Sequence, residues 1–222
     1  MGDRPRLLDA FSGAGGATRG YQMAGFHVTG VDIKTQPRYV GDAFVQGDAI
    51  AFIREHGHEF SVIHASPPCQ RYSRASKQSG TGHLHPDLIA PTRAALLKTG
   101  RPYVIENVAD ARNVLSASLL LCGAMFPGLR TYRHRLFESS VLLMSPPHPP
   151  HMLTTPRSNV YVEGQFMTVY GHVSPVEKAR EVMGIDWPMT QAEVVEAIPP
   201  AYTRWIGRQL IEHLEWINAA AS

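Results

Sequence analysis

The sequence predicts an α/β fold with a mostly parallel, doubly wound sheet. Three observations support this. Short apolar runs alternate with helix-like stretches through the first half, at intervals that suit β–α–β units. One of these runs, FSVIHAS at residues 60–66, is apolar enough to be buried on both faces, as expected of a strand that is covered by helices on each side. The 222 residues, of which 44% are hydrophobic, suffice for one domain with a proper core.

Five strands and three intervening helices are predicted in the first half. The strands are RLLDAF, FHVTGVDI, AFVQGD, FSVIHAS and RPYVIENV, at residues 6–11, 26–33, 43–48, 60–66 and 101–108. The helices are ATRGYQMAG, AIAFIREHG and PDLIAPTRAALLKTG, the last of them interrupted by a proline. Ligands of such sheets bind at the carboxyl ends of the strands, so the residues there are the first candidates for a site.

The second half carries weaker signals. Strands or turns are expected over residues 119–126 and 132–144, and a proline-rich loop over residues 145–159. Two capping boxes, Ser174–Glu177 with proline second and Thr190–Glu193, predict helix starts. A final helix after Pro199-Pro200 should pack through one apolar stripe, formed by Tyr202, Ile206, Leu210, Leu214 and Ile217.

Charge and composition restrict the class of protein. The net charge of +2 gives no global signal for nucleic acid, so any such case must depend on local clusters. Two cysteines cannot build a disulfide framework, which favours a reducing compartment. Neither a signal peptide nor a run of about 18 apolar residues is found, so no membrane association is expected.

The turn Asp9-Ala-Phe-Ser-Gly-Ala-Gly-Gly follows the first strand and opens a helix. Its glycines let a ligand approach the backbone. The dinucleotide fingerprint requires glycine where Thr18 stands, which argues against NAD. Asp32 ends the second strand, where a carboxylate can accept hydrogen bonds from ribose hydroxyls, and Asp48 after the third can meet an adenine edge. Together these features favour a nucleoside cofactor such as S-adenosyl-L-methionine.

Cys69 follows the fourth strand on the same edge, directly after Pro67-Pro68. The prolines restrict the backbone, and a positioned thiol suits a nucleophile. Cationic and polar neighbours favour the thiolate and attract phosphate. The other cysteine, Cys122, stands in an apolar run and is interpreted as structural. Glu106 ends the fifth strand, where poor solvation should raise its pKa and suit it as a proton donor.

These residues form an ordered set that resembles the cytosine-C5 DNA methyltransferases, in particular the compact forms of phages and bacteria. The set comprises DAFSGAGG, PPCQ, ENV, YRHRLFE and AIPPAYTRWIGRQL, in family order from Leu7 to Leu214. The resemblance implies a Rossmann-like methyltransferase fold, S-adenosyl-L-methionine as cofactor and double-stranded DNA as partner. It also implies the cytoplasm of a bacterium or of a phage-infected cell. The oligomeric state cannot be read from the sequence, which is compatible with a monomer.

The resemblance also implies roles for individual residues. Cys69 would attack C6 of cytosine, Glu106 would protonate or hydrogen-bond N3, and Arg135 would contact the base oxygen with Arg133 nearby. The cofactor would be bound by Asp9, Phe11, Gly13, Gly15, Gly16, Asp32, Ile33, Asp48 and Pro67. The substrate would be bound by Gln70, Arg71, Ser73 and Asn107, the last of which would support the loop. A cytosine inside a duplex is out of reach, so base flipping is implied.

The expected organisation is a core of residues 1–138, a short target-recognition segment of residues 139–173 and C-terminal helices of residues 174–222. So small a recognition segment predicts a short or relaxed target site. Its candidate DNA contacts are Arg157, Asn159, Tyr161 and Gln165. The chain departs from the family pattern at Thr131, where glutamine is usual, and at Glu196-Ala197, where Gly-Asn is usual. No metal is expected, because His148, His151 and His172 lack ligand spacing.

Three other functions stay open at this stage. An RNA or tRNA cytosine methyltransferase would use the same chemistry. A non-catalytic relative would bind DNA or cofactor, although it would have no need for both Cys69 and Glu106. A thiol hydrolase would require His64 or His134 to activate Cys69. The target sequence and the biological role, whether restriction protection, phage genome marking or regulation, cannot be read from the residues.

Overall fold

A computed structural model of the chain describes residues 4–68, 86–116, 118–155 and 160–220. Within these ranges seven strands form one sheet in the order β3-β2-β1-β4-β5-β7-β6. The strands are β1 Arg6–Ala10, β2 His27–Asp32, β3 Ala43–Gln46, β4 Val62–Ala65, β5 Tyr103–Val108, β6 Leu119–Leu121 and β7 Arg135–Ser139. Strands β1 to β5 pair in parallel, and β7 runs antiparallel to both β5 and β6. The predicted mostly parallel sheet is confirmed.

The strand order reverses between β1 and β4, because the chain first builds outward through β2 and β3 and then returns to build the other side. Such a reversal leaves a crevice outside the carboxyl ends of the two central strands. The glycine turn after β1 and the Pro67-Pro68 segment after β4 border this crevice. The topology therefore brings the predicted cofactor motif and the two prolines that precede Cys69 to one place.

Six α-helices lie in the described ranges. They are α1 Gly16–Ala24, α2 Ala49–His56, α3 Ile89–Thr99, α4 Val176–Val182, α5 Gln191–Glu196 and α6 Pro200–Ala220. Short 3₁₀ turns span Gly57–Glu59, Ala109–Ala111 and Gly123–Met125. Pro91 is the third residue of α3, where the missing amide has no intrahelical partner to lose, so the helix tolerates it.

Helices cover both faces of the sheet, as a doubly wound fold requires. Because side chains alternate along a strand, neighbouring residues enter opposite cores. The core under α2 and α3 includes Leu8, Ile63, Ile105, Ile53 and Leu96. The core under α1 and α6 includes Leu7, Val62, Val104, Tyr21 and Tyr202. The predicted α6 stripe is buried through its first three members, Leu214 packs against the same core, and Ile217 is half-buried.

A third apolar cluster forms a small lobe beside the sheet. Met167, Val169 and Val173 pack there with residues of α4 and α5, and Ala14 of the glycine turn joins them. The capping box at Thr190 forms as predicted. The one at Ser174 does not, because Pro175 is the N-cap and carries no side-chain cap, while the Ser174 backbone pairs with the segment at Val160.

Candidate active site

A cavity of about 710 Å³ opens at the carboxyl edge of the sheet. Its walls combine the turns that follow β1, β2 and β4, the end of β5, the start of β7 and the α5 region of the small lobe. Among the predicted site residues, it is lined by Asp9, Phe11, Gly13, Gly16, Asp32, Ile33, Asp48, Pro67, Glu106 and Arg135. The volume lies in the range typical of small-molecule sites.

The glycine turn is bent so that its backbone faces this cavity. Phe11 adopts a left-handed φ of 62°, a strained conformation for a large side chain that concentrates at functional sites. A Cβ on Gly13, at φ 51°, would meet nothing within 4 Å, so open space adjoins it. The Gly13 N–H donates to Asp32 Oδ2 at 3.0 Å, and the Lys34 N–H donates to Oδ1 at 3.0 Å. The carboxylate of Asp32 is thus fixed while keeping further lone pairs for a ligand.

The other two glycines of the turn serve close packing. A Cβ on Gly16 would lie 2.6 Å from the Ile198 carbonyl oxygen, so only glycine lets the small lobe approach α1. Gly15 has a φ of 92° and packs against Val40 rather than lining the cavity. The prediction that all three glycines contact the cofactor is therefore supported by position for Gly13 and Gly16 and not for Gly15.

Asp9 is buried beneath the turn, and only one of its two carboxylate oxygens has a hydrogen-bond partner among the described residues. One carboxylate oxygen accepts a hydrogen bond from Thr18 Oγ1, the residue that replaces the third fingerprint glycine, while Oδ1 has no partner among the described residues. Burial, opposed by the Thr18 hydrogen bonds, raises the pKa of Asp9 to about 7. An unpaired buried oxygen that borders a cavity is a position at which a ligand donor gains a strong partner.

Asp48 and Ile33 lie on the far wall. Asp48 is the N-cap of α2 and accepts the Ala51 N–H through Oδ1 at 2.8 Å, so it has a structural role in addition to its place on the cavity. Ile33 leaves 65% of its surface exposed although it borders the cavity. A flat apolar group placed against it would remove that surface from water.

Glu106 and Arg135 form an ion pair inside the same cavity, with Arg135 Nε 2.9 Å from Glu106 Oε1. Oε1 has no aligned hydrogen bond among the described residues, so the contact is chiefly one of charge. Burial raises the pKa of Glu106, although Arg135, a Ser66 hydrogen bond and Arg133 all oppose that rise. The carboxyl group therefore holds a proton to higher pH than an exposed glutamate, as a general acid requires.

Behind Glu106 stands a buried hydrogen-bond chain that the sequence analysis did not find. Ser66 Oγ lies 2.8 Å from His64 Nε2, and His64 Nδ1 lies 3.0 Å from the Tyr21 hydroxyl. Burial lowers the pKa of His64 to about 3, so the imidazole is neutral. Both ring nitrogens are engaged, which leaves neither free to activate a thiol and removes His64 from a hydrolase mechanism. The one sequence feature that could have indicated this hydrogen-bond chain is the presence of a histidine in an otherwise apolar strand.

Asn107 supports the loop rather than facing the cavity. Its side chain is buried, its Nδ2 donates to the Pro67 carbonyl oxygen at 2.9 Å, and its Oδ1 accepts the Val108 N–H at 3.0 Å. The end of β5 is thereby tied to the segment that leads to Cys69. Direct substrate contact by Asn107, one of the sequence predictions, has no support in this position.

Arg133 joins the small lobe to the sheet. Its guanidinium donates to the carbonyl oxygens of Val169, Val195 and Ala197. Tyr202 in turn donates to the Arg133 carbonyl oxygen at 2.9 Å. The departure at Glu196-Ala197 therefore does not leave the lobe unanchored, and the role best supported for Arg133 is positioning rather than contact with the base.

Several predicted residues lie outside the described ranges. These are Cys69, Gln70, Arg71, Ser73, Arg157 and Asn159. Of the remaining candidate DNA contacts, Tyr161 and Gln165 are half-buried, and Lys178 Nζ sits 5.0 Å from the Tyr161 ring centre. Across the described residues, none of the helices has the length and apolar character needed to span a membrane.

A second cluster of side chains lies at the β6 edge of the sheet. It brings His148 and His151, two of the histidines considered above, together with Cys122 and His134, while His172 is exposed and does not join them. Sequence spacing concealed this cluster because its members come from three separate segments. The expectation that no metal is bound is revisited below on this geometry.

Comparison with known proteins agrees with the fold and the motifs. The model of the C-5 cytosine-specific DNA methylase family matches residues 6–116. No curated protein matches the chain significantly.

Three solved structures align with nearly all of the chain. A candidate DNA modification methyltransferase encoded within an E. coli prophage has a TM-score of 0.67 at 13% identity, covering 95% of this chain and 99% of its own. The Entamoeba histolytica methyltransferase EhMeth gives 0.59 at 12% identity, covering 96% and 99%. The S. pombe Dnmt2 methyltransferase gives 0.56 at 13% identity, covering 96% and 99%. At these identities the similarity establishes the fold.

Proposed function

The chain belongs to the C-5 cytosine-specific DNA methylase family, and from that premise we propose that it methylates C5 of cytosine in double-stranded DNA. Membership makes it an S-adenosyl-L-methionine-dependent methyltransferase. The DNA substrate and a covalent role for Cys69 are the parts that we propose. One observation carries them: the Glu106–Arg135 pair, Pro68 and the cofactor motif line a single cavity, and Cys69 is the residue bonded to Pro68.

The cavity fits the cofactor. Asp32 would accept from the ribose hydroxyls, Ile33 would cover one face of the adenine, and Asp48 would meet its edge. The open space beside Gly13 admits a ligand against the backbone, and the unpaired Asp9 Oδ1 offers an acceptor to an ammonium group. When bound, S-adenosyl-L-methionine supplies the methyl group that C5 receives.

The protein's residues would activate the base in a fixed order. The Cys69 thiolate adds to C6 while protonated Glu106 gives or shares its proton at N3, which lets the ring accept the electron pair. C5 thereby becomes the nucleophile. Once C5 carries the methyl group, water accepts the C5 proton, and the electron pair of that bond restores the C5–C6 double bond and releases the sulfur as thiolate, while N3 returns its proton to Glu106. Arg135 pairs with Glu106 and is proposed to contact the base oxygen, while Asn107 keeps the Pro67 segment in place.

A cytosine reaches such a cavity only when it leaves the stack, which costs a few kcal/mol. Gln70, Arg71 and Ser73 are proposed to hold the flipped nucleotide and its phosphates. Residues 139–173 are proposed to read the target, between a core of residues 1–138 and the C-terminal helices of residues 174–222. The small size of that segment favours a short or relaxed target site.

Transfer of a tritium-labelled methyl group from S-adenosyl-L-methionine to DNA and, in a separate assay, to tRNA tests this function. We expect label in double-stranded DNA, none with Cys69→Ser, and bisulfite-resistant cytosines in DNA from cells that express the protein. Label in tRNA alone would replace DNA by RNA as the substrate. Binding of the cofactor without methyl transfer to either nucleic acid would indicate that the protein is a non-catalytic relative.

A further inference from the structure

Four potential metal ligands from three separate segments of the chain converge at the β6 edge of the sheet. Each of Cys122, His134, His148 and His151 contributes one ligand atom, and all four atoms lie within 4.8 Å of one another. Cys122 Sγ lies 3.4 Å from His151 Nε2, and His134 Nε2 lies 3.4 Å from His148 Nε2. We propose that these four side chains bind a structural Zn²⁺ ion.

Two of the six distances between ligand atoms, Cys122 Sγ to His151 Nε2 and His134 Nε2 to His148 Nε2, are close to the edges of a zinc tetrahedron. Zinc bonds of about 2.0–2.1 Å to nitrogen and about 2.3 Å to sulfur imply edges of roughly 3.4 Å between two nitrogens and roughly 3.6 Å between nitrogen and sulfur. A hydrogen bond explains them less well, because 3.4 Å is long for two ring nitrogens and the cluster contains no carboxylate. A set of one thiolate and three imidazoles binds zinc in preference to harder cations such as Mg²⁺ and Ca²⁺.

The sheet itself places the first two ligands. Strands β6 and β7 are antiparallel, with Leu121 opposite Arg135. Continuing that register by one residue sets Cys122 opposite His134. The Gly123 N–H donates to the Tyr132 carbonyl oxygen at 2.8 Å just beyond, so the two chains remain together there. The two ligands are therefore brought together by backbone pairing rather than by side-chain freedom.

Outer contacts orient the ligands, as in metal sites generally. In the 3₁₀ turn that follows Cys122, the backbone N–H of Met125 points at the Cys122 sulfur, which fixes the direction of that side chain. Tyr132 stacks on His151 with ring centres 3.7 Å apart and an angle of 16°. The Tyr132 hydroxyl also donates to the Leu153 carbonyl oxygen at 2.6 Å, which fixes the loop that carries His151.

The site would perform a task that backbone hydrogen bonds cannot. The segment around His148 contains four prolines, which have no N–H to donate to a neighbouring strand. Ligation by His148 and His151 would attach this segment to the sheet edge instead. Four protein ligands leave no open position, so the ion is structural rather than catalytic. His134 lies between Arg133 and Arg135, so the ion would also stabilise the strand that carries the arginine of the active site.

Metal content and a cobalt spectrum test the site in the full chain, without DNA or cofactor, so the result is independent of the proposed function. Protein prepared without a histidine tag is stripped with chelator and reloaded with Zn²⁺ for elemental analysis or with Co²⁺ for absorption. The variants are Cys122→Ser and His148→Ala. Matched controls are Cys69→Ser, which removes the other cysteine of the chain, and His172→Ala, which removes an exposed histidine outside the cluster.

We expect about one ion per chain and the sulfur-to-cobalt band of a tetrahedral site in the wild type and both controls. Cys122→Ser should lose the band, and His148→Ala should bind metal at least about tenfold more weakly. If Cys122→Ser fails to fold, the wild-type spectrum and the metal affinity of His148→Ala still test the proposal. The His148 side chain is exposed, so its removal should leave the fold intact. A wild type that binds no stoichiometric metal would overturn the proposal, as would a band that survives Cys122→Ser or disappears in Cys69→Ser.

Discussion

Arg135 reaches Glu106 diagonally across two antiparallel strands. Val108 is the residue opposite Arg135, and Glu106 is opposite Phe137, yet Arg135 Nε comes within 2.9 Å of Glu106 Oε1. Diagonal neighbours on one face of a sheet are within reach of long side chains. The pairing balances the charge of the carboxylate, although Oε1 has no aligned hydrogen bond among the described residues.

Glu106→Gln should lower methyl transfer at least about a hundredfold, because an amide cannot give a proton to the base. Affinity for S-adenosyl-L-methionine should stay nearly unchanged, since the cofactor contacts are elsewhere in the cavity. Single-turnover transfer and equilibrium cofactor binding measure the two effects separately. The control is Glu212→Gln, an exposed position on α6. Activity of Glu106→Gln close to that of the control would remove Glu106 from the chemistry.

The stability of the protein should depend on the ionisation of Asp9. Burial raises the pKa of Asp9 from its ordinary 3.8 to about 7 in the folded protein. The folded state therefore retains a proton that the unfolded state releases, so the contribution of Asp9 to stability is complete below about pH 4 and is lost as pH rises to about 7. The decline should reach a few kcal/mol in the free energy of unfolding.

Asp9→Asn should remove that part of the pH dependence. Urea unfolding at about pH 5 and about pH 7.5 measures it, with Asp186→Asn, an exposed carboxylate, as the matched variant. If the wild type and Asp9→Asn lose the same amount of stability between these two pH values, Asp9 does not cause the pH dependence of the free energy of unfolding.

Arg133→Lys should destabilise the fold by about 1–3 kcal/mol, because the three contacts come from three separate guanidinium nitrogens, whereas the donors of an ammonium all lie on one atom and cannot reach the same three carbonyl oxygens. The contacts to Val169, Val195 and Ala197 join the small lobe to the sheet, so the loss should appear in urea unfolding. Arg208→Lys, at an exposed position of α6, should change stability by less than about 0.5 kcal/mol. Equal stability of the two variants would contradict the anchoring role.

Much of the cofactor site could be predicted because its signals are local. Asp32 ends a strand, the glycine turn and Asp48 follow one, and parallel strands bring their carboxyl ends to one edge whatever the details of packing. Glu106 was predicted for the same reason. Gly15 and Gly16 show the limit of such reasoning, since a glycine required by a neighbouring backbone looks the same in sequence as one required by a ligand.

Other features depend on pairings that no local pattern encodes. The insertion of β7 between β5 and β6 sets Cys122 opposite His134, and neither residue signals the other in sequence. Arg133 was predicted to lie near the base, but its direction is decided by carbonyl oxygens of the small lobe. The chain from Tyr21 through His64 to Ser66 joins α1 to β4, so it too requires the fold.

Metal removal should destabilise the protein if the proposed zinc site is occupied. Free zinc at a hundred times its Kd contributes about 2.7 kcal/mol, which corresponds to roughly 5–10 °C in Tm for a chain of this length. A chelator should therefore lower the Tm of the wild type by that amount, and zinc should restore it. Cys122→Ser should melt at the same temperature with and without chelator. A wild type indifferent to chelator would speak against a structural ion.

Trapping on DNA that contains 5-fluorocytosine tests most directly whether Cys69 forms the proposed covalent bond to cytosine. Fluorine at C5 cannot leave as a cation, so the enzyme cannot complete the elimination that frees the sulfur. With S-adenosyl-L-methionine present, the mass of the wild-type protein should increase by that of the methylated oligonucleotide, and peptide mapping should place the bond at Cys69. Methylation of ordinary DNA without any trapped complex, or a bond at another residue, would contradict the mechanism.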